Sequence, residues 1–135
     1  MKSYSTVSAS GLVMVSILFA GGCATQGERV GDDFASVETV SSSYAHLVNV
    51  SLYREDAGVV MHGELKSRRG GRAVIQGHID IEIILPDGTR QTTHNVTYQR
   101  MSVRSRTAHF TYRLAPVLQK GSLVRVVHHA EPDHA

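Results

Sequence analysis

The sequence predicts an all-β fold, a small antiparallel β-sandwich of six or seven strands, on three observations. Apolar and polar residues alternate from Ile75 to Leu85: Ile75, Gly77, Ile79, Ile81, Ile83 and Leu85 fall on one face, Gln76, His78, Asp80 and Glu82 on the other. This is the period of two that a half-buried strand requires. Strand-like segments recur every 10 to 14 residues or so, separated by turn residues, as in small sandwiches. No stretch of the body carries a convincing helical pattern. A chain of 135 residues has room for one such domain and its tails.

Taken in order, residues 24 to 45 are rich in Gly, Ser, Thr and acids with scattered hydrophobes, and they predict a flexible tether. As a coil of about 22 residues it would span roughly 25 Å root-mean-square. Within it, Val37 to Val40 is a candidate for a short extra strand. Leu47 to Tyr53 reads as a strand, Arg54 to Gly58 as a turn, and Val59 to Leu65 as the returning strand. A basic loop from Lys66 to Arg72 leads into the Ile75–Leu85 strand. Pro86-Asp87-Gly88 stops that strand, because Pro lacks an amide donor and Gly tolerates positive φ. Thr89 to Gln99 is polar and Thr-rich, which suits an edge strand. Thr107 to Leu114 alternates again, and Leu123 to His129 closes the body. The expected division is a signal segment at 1–22, a tether at 23–45, the sandwich at 46–129 and a tail at 130–135.

The N-terminus gives the address. Lys2 precedes an apolar run from Gly11 to Ala20, followed by Ala20-Gly21-Gly22-Cys23. About ten apolar residues are too few to span a bilayer core, and small residues before a cut site mark a signal peptide. Cys23 is the one cysteine, so it has no internal disulfide partner. The Ala20-Gly21-Gly22-Cys23 segment resembles the lipobox of bacterial lipoprotein precursors, although Ala20 stands where Leu is commoner. The resemblance implies that residues 1–22 are removed and that Cys23 becomes a lipidated first residue. More than one acyl chain gives stable membrane attachment. Ala24, rather than Asp, after the Cys implies the outer membrane, facing the periplasm. The body resembles immunoglobulin-like or transthyretin-like modules in its layout alone, without the Cys and Trp signature of true immunoglobulin domains.

Charge is unevenly placed. Between His46 and His129 there are twelve Lys and Arg against six Asp and Glu, whereas residues 24–45 carry Glu28, Asp32, Asp33 and Glu38 against Arg29. If successive strands alternate direction, one end of the sandwich collects Lys66, Arg68, Arg69, Arg72, Arg100, Arg104 and Arg106, together with the entering tether. Such a positive pole attracts phosphate or carboxylate groups. The expected partners are the membrane through the N-terminal lipid, and an envelope protein or anionic lipid headgroups at the pole. Nucleic acid is not expected, since no stacking aromatics interleave the charges.

Of eight histidines, seven lie on or near expected strands: His46, His62, His78, His94, His109, His128 and His129. In an antiparallel register that sets Ile81 opposite Val126, Glu82 faces Arg125 and His78 faces His129. Opposed Cβ atoms about 4.5 to 5.5 Å apart allow two imidazoles to share a metal. The candidate ligands are therefore His78, Asp80, His128 and His129, for Zn or Cu. No Gly-x-Ser-x-Gly elbow, second thiol or Gly-rich phosphate loop points to catalysis. The expectation is a non-enzymatic binding or structural module of the envelope, with a metal-binding module as the alternative and no required cofactor.

Overall fold

Each strand turns its apolar side chains to one side, and two sheets bring those sides together. The structure, a computed structural model, describes residues 27–69, 75–100, 102, 104–114 and 118–130. Among these, nine strands form: β1 (Glu28–Arg29), β2 (Ala35–Val40), β3 (Ala45–Glu55), β4 (Gly58–Ser67), β5 (His78–Ile84), β6 (Arg90–Val96), β7 (Gln99–Arg100), β8 (Thr107–Arg113) and β9 (Ser122–His129). The first sheet has the order β1-β3-β4-β8-β7 and the second the order β2-β9-β5-β6. The fold is an all-β sandwich, as the alternation predicts. Seven strands are of ordinary length and two are only two residues long.

The core lies between the sheets. Leu47, Leu52, Met61, Leu65, Ala108 and Phe110 face it from one side, and Ile79, Ile81, Ile83, Val124 and Val126 from the other. Each large aliphatic side chain buried there contributes about 1.5–3 kcal/mol. Gly63 sits opposite Phe110, and a Cβ on it would collide with the Phe110 ring. The glycine thus makes room for the largest core side chain. The hairpin after β5 follows from its turn residues: Gly88 N donates to Leu85 O at 2.9 Å, Asp87 Oδ1 accepts from Thr89 N at 2.8 Å, and Gly88 has φ 87°.

The segment expected to be a tether belongs to the sandwich from Gly27 onward. β1 pairs with Arg54 and Tyr53 of β3, Val30 N donates to Leu52 O at 2.9 Å, and Val30 and Ala35 are buried. The extra strand is β2, and it runs parallel to β9, from Ala35 opposite Ser122 to Val40 opposite Val127. It is the one parallel pair in a sandwich otherwise antiparallel among the described residues. The domain therefore begins before His46. The Thr89–Gln99 segment divides: β6 is an edge of the second sheet, and β7 crosses to the edge of the first. Residues 1–26, with Cys23 and the expected signal segment, lie outside the described residues, as do Arg72 and residues 131–135.

This order fixes the two ends of the molecule. At one end Ala45 pairs with Ser67, Lys66 pairs with Thr107, Ser67 N donates to Arg106 O, and Ser42 Oγ meets His128 Nδ1 at 2.7 Å. At the other end lie the β3–β4 turn and Gly27, whose Cα is packed against the Arg54 backbone. The described chain thus starts at the end opposite the Lys66 and Arg106 loops, contrary to the expectation that it enters beside them. A strand such as β2, inserted before β3, reverses which end comes first.

Candidate functional site

The outward side of the second sheet carries charged side chains on all four strands, and it holds the sites that the sequence pairs. The observed register sets Ile81 opposite Val126, Glu82 opposite Arg125 and His78 opposite His129, the register supposed from the sequence. Arg125 donates to Glu38 at 3.1 Å and to Glu82 at 3.0 Å, and Arg90 donates to Glu82 at 3.2 Å. Acid and base thus alternate from β2 through β9 and β5 to β6.

Next to this row, toward the end of β9, imidazoles surround Asp80. His129 Nε2 lies 3.2 Å from Asp80 Oδ2, His78 Nε2 lies 3.7 Å from Oδ1, and His94 Nδ1 lies 2.9 Å from Oδ2. The His78 and His129 rings stack with centroids 5.0 Å apart and planes 24° apart. Asn95 N donates to Asp80 Oδ1 at 3.1 Å. Burial raises the Asp80 carboxyl, but the His94 hydrogen bond, the Asn95 amide and the nearby His94 and His129 outweigh it and hold the pKa below the usual aspartate value. The ligand atoms of His78, Asp80 and His129 all lie within 4.8 Å of one another.

One expected position differs, and one residue joins that was not expected. His128 does not join this group: adjacent strand residues face opposite ways, and His128 is turned into the sandwich, where it is 3% exposed. Its Nδ1 meets the Ser42 hydroxyl, which also accepts from the Tyr44 and Ala45 amides, so the hydroxyl proton goes to the ring. Burial pushes the His128 pKa down, against a smaller upward pull from the Gln76 backbone. A neutral imidazole there ties the turn before β3 to β9. His94 was not among the expected ligands. A bulge in β6 puts His94 and Asn95 together opposite Asp80, with Asn95 at φ 56°. Asn49 makes the same kind of bulge in β3 at φ 53°, since Asn accepts this conformation more readily than most residues.

The basic end is assembled in part as expected. Lys66, Arg68, Arg69, Arg104 and Arg106 are exposed there, and none takes part in an ion pair among the described residues. Arg69 lies over the Tyr44 ring at 4.3 Å. Arg100 is half-buried and donates to the Ser105 carbonyl of its own loop at 2.9 Å, so it braces that loop rather than facing outward with the others. On the outer face of the first sheet, His62 meets Thr111 at 3.0 Å and His109 lies 3.5 Å from Glu64, with His46 exposed nearby. A cleft of about 670 Å³ opens between β2 and β3, lined by residues that include Val30, Val37, Asn49 and Tyr53.

Compared with known proteins, the chain matches no family model, no curated protein and no solved structure.

Proposed function

We propose that this chain is a non-enzymatic, lipid-anchored binding module of the bacterial envelope, held by Cys23 at the periplasmic face of the outer membrane, that presents a cationic end to anionic groups. The observation that carries this reading is the set of five exposed cations without ion-pair partners among the described residues, Lys66, Arg68, Arg69, Arg104 and Arg106. Elsewhere on the body, Arg90, Arg113 and Arg125 each face a carboxylate. Clustered unneutralised guanidinium groups raise the local concentration of anions and fit phosphate and carboxylate oxygens bidentately.

The two ends of the fold sharpen this reading. Four residue steps lead from Cys23 to Gly27, a reach of at most about 14 Å. The nine steps of β3 from Ala45 to Arg54 cover roughly 30 Å. A lipid on Cys23 would therefore hold the Arg-rich end away from the anchoring bilayer, and its anionic partner stands across from that membrane. A second reading, a metal-binding module, is favoured by the convergence of His78 and His129 on Asp80.

The test is co-sedimentation of the protein with phosphatidylglycerol vesicles, phosphatidylcholine vesicles and purified cell-wall sacculi at low and high salt. Salt-sensitive binding to one anionic material, lowered roughly tenfold by Arg68→Ala with Arg69→Ala, is the expected result. The two anionic arms separate phosphate from carboxylate as the partner group. Binding that ignores both salt and these substitutions would overturn the proposal.

A further inference from the structure

Two imidazoles and one carboxylate come together on the outer face of the second sheet, with a ligand atom of each within 4.8 Å of the others, and they do so on paired strands. His78 and His129 are direct cross-strand partners, and Asp80 is two residues along the same face of β5. A tetrahedral ion with bonds of about 2.0–2.1 Å separates its ligand atoms by roughly 3.3 Å. His129 Nε2 lies 3.2 Å from Oδ2 and His78 Nε2 lies 3.7 Å from Oδ1 of the Asp80 carboxylate, and one ligand atom from each residue falls within 4.8 Å of the others, somewhat wider than that spacing.

The surroundings suit an ion as well. Asp80 is only 14% exposed in its side chain, while His94 and His129 are 68% and 47% exposed, so the carboxylate is fixed and the opening to solvent lies on the imidazole side. The Asn95 amide and His94 hold the carboxylate from the β6 side. Groups of this kind orient a ligating carboxylate and strengthen metal sites. Stacked, parallel His78 and His129 rings direct their Nε2 atoms to the same carboxylate.

We infer that His78, Asp80 and His129 form a site for one divalent transition-metal ion of the Zn, Cu or Ni class, with His94 positioning Asp80 and available as a fourth ligand. Two nitrogen donors to one oxygen select borderline metals over Ca²⁺ and Mg²⁺, which take oxygen shells. The site does not depend on the lipid anchor or on the Arg-rich end, and it lies near that end, so a bound ion would add positive charge there.

The experiment uses the untagged full-length chain carrying Cys23→Ser, so that no thiol competes, in mild detergent. Melting temperature is followed with Zn²⁺, Cu²⁺, Ni²⁺, Ca²⁺ and Mg²⁺ and with chelator alone. One of the first three is expected to raise Tm by about 5–10 °C, saturating near one equivalent. His78→Ala and His129→Ala should each abolish the rise, and His62→Ala on the other sheet should leave it intact. Imidazole NMR signals followed during the same titration read the site without any substitution, and shifts should concentrate on His78, His129 and His94. No rise with any transition metal, an equal rise with Ca²⁺, or NMR shifts centred on other histidines would overturn the assignment.

Discussion

Two groups of charges on this body differ in what they touch. On the outer face of the second sheet Glu38, Arg125, Glu82 and Arg90 neutralise one another across four strands. At the end formed by the β4–β5 and β7–β8 connections, Lys66, Arg68, Arg69, Arg104 and Arg106 are exposed and pair with no carboxylate among the described residues. A charge that is already paired on a rigid strand contributes to register and has little left for a partner. A charge with no carboxylate beside it adds little to folding and is free for a ligand. The Asp80 group stands between these cases, because one carboxylate there is shared among three imidazoles.

The comparison can be broken in steps of decreasing effect on stability. Gly77→Ala should be the most damaging, at about 2–3 kcal/mol. Gly77 has φ 106°, and a Cβ there would collide with the His129 carbonyl oxygen, so the substitution pushes β5 from the end of β9 beside His78. Urea denaturation measures the loss, and metal binding should weaken with it. Glu82→Gln removes the acid between Arg90 and Arg125 and should cost about 1 kcal/mol, reduced by salt. A change that salt does not reduce would place the role of Glu82 in packing instead.

A smaller effect is set by pH. Burial holds the His128 pKa below 6.5, so the folded chain favours the neutral ring more than the unfolded chain does. That contribution is fully present above the unfolded value and is lost as pH falls through the folded one. With chelator present, Tm should fall between about pH 7.5 and about pH 5.5, and His128→Gln should make the fall shallower. An unchanged slope would mean that the other histidines carry the response. Arg68→Ala with Arg69→Ala should change stability least, within about 0.5 kcal/mol, while weakening anion binding most. A large stability loss would show that the stacking of Arg69 on Tyr44 is structural.

What the sequence revealed of this arrangement depends on how local the signal is. The isoleucines at every inward position of β5 exclude a shift of one residue, which would turn all of them to water, but leave shifts of two open, so the β5–β9 register was a supposition that the pairing bears out. β2 was obscured because its burial is confined to Ala35 and, in part, Val37, and its parallel partner lies some 87 residues downstream. No nearby turn announces such a pairing. Taking residues 24–45 as a tether, with Val37 to Val40 only a candidate strand, misplaced the chain entry. The period of two alone separates His128 from His129, so the inward place of His128 was readable from its neighbour. His94 was not readable, because its approach to Asp80 depends on a bulge at Asn95 that only pairing reveals.

The most direct test of the central claim is a bridging assay with the protein lipidated on Cys23 and anchored in phosphatidylcholine vesicles. Anionic vesicles or sacculi are added at low salt, and clustering is followed by light scattering. The account predicts clustering that disappears with high salt and with Arg68→Ala, Arg69→Ala, Arg104→Ala and Arg106→Ala combined. Clustering that survives those substitutions, or a folded, anchored protein that clusters nothing, would contradict it.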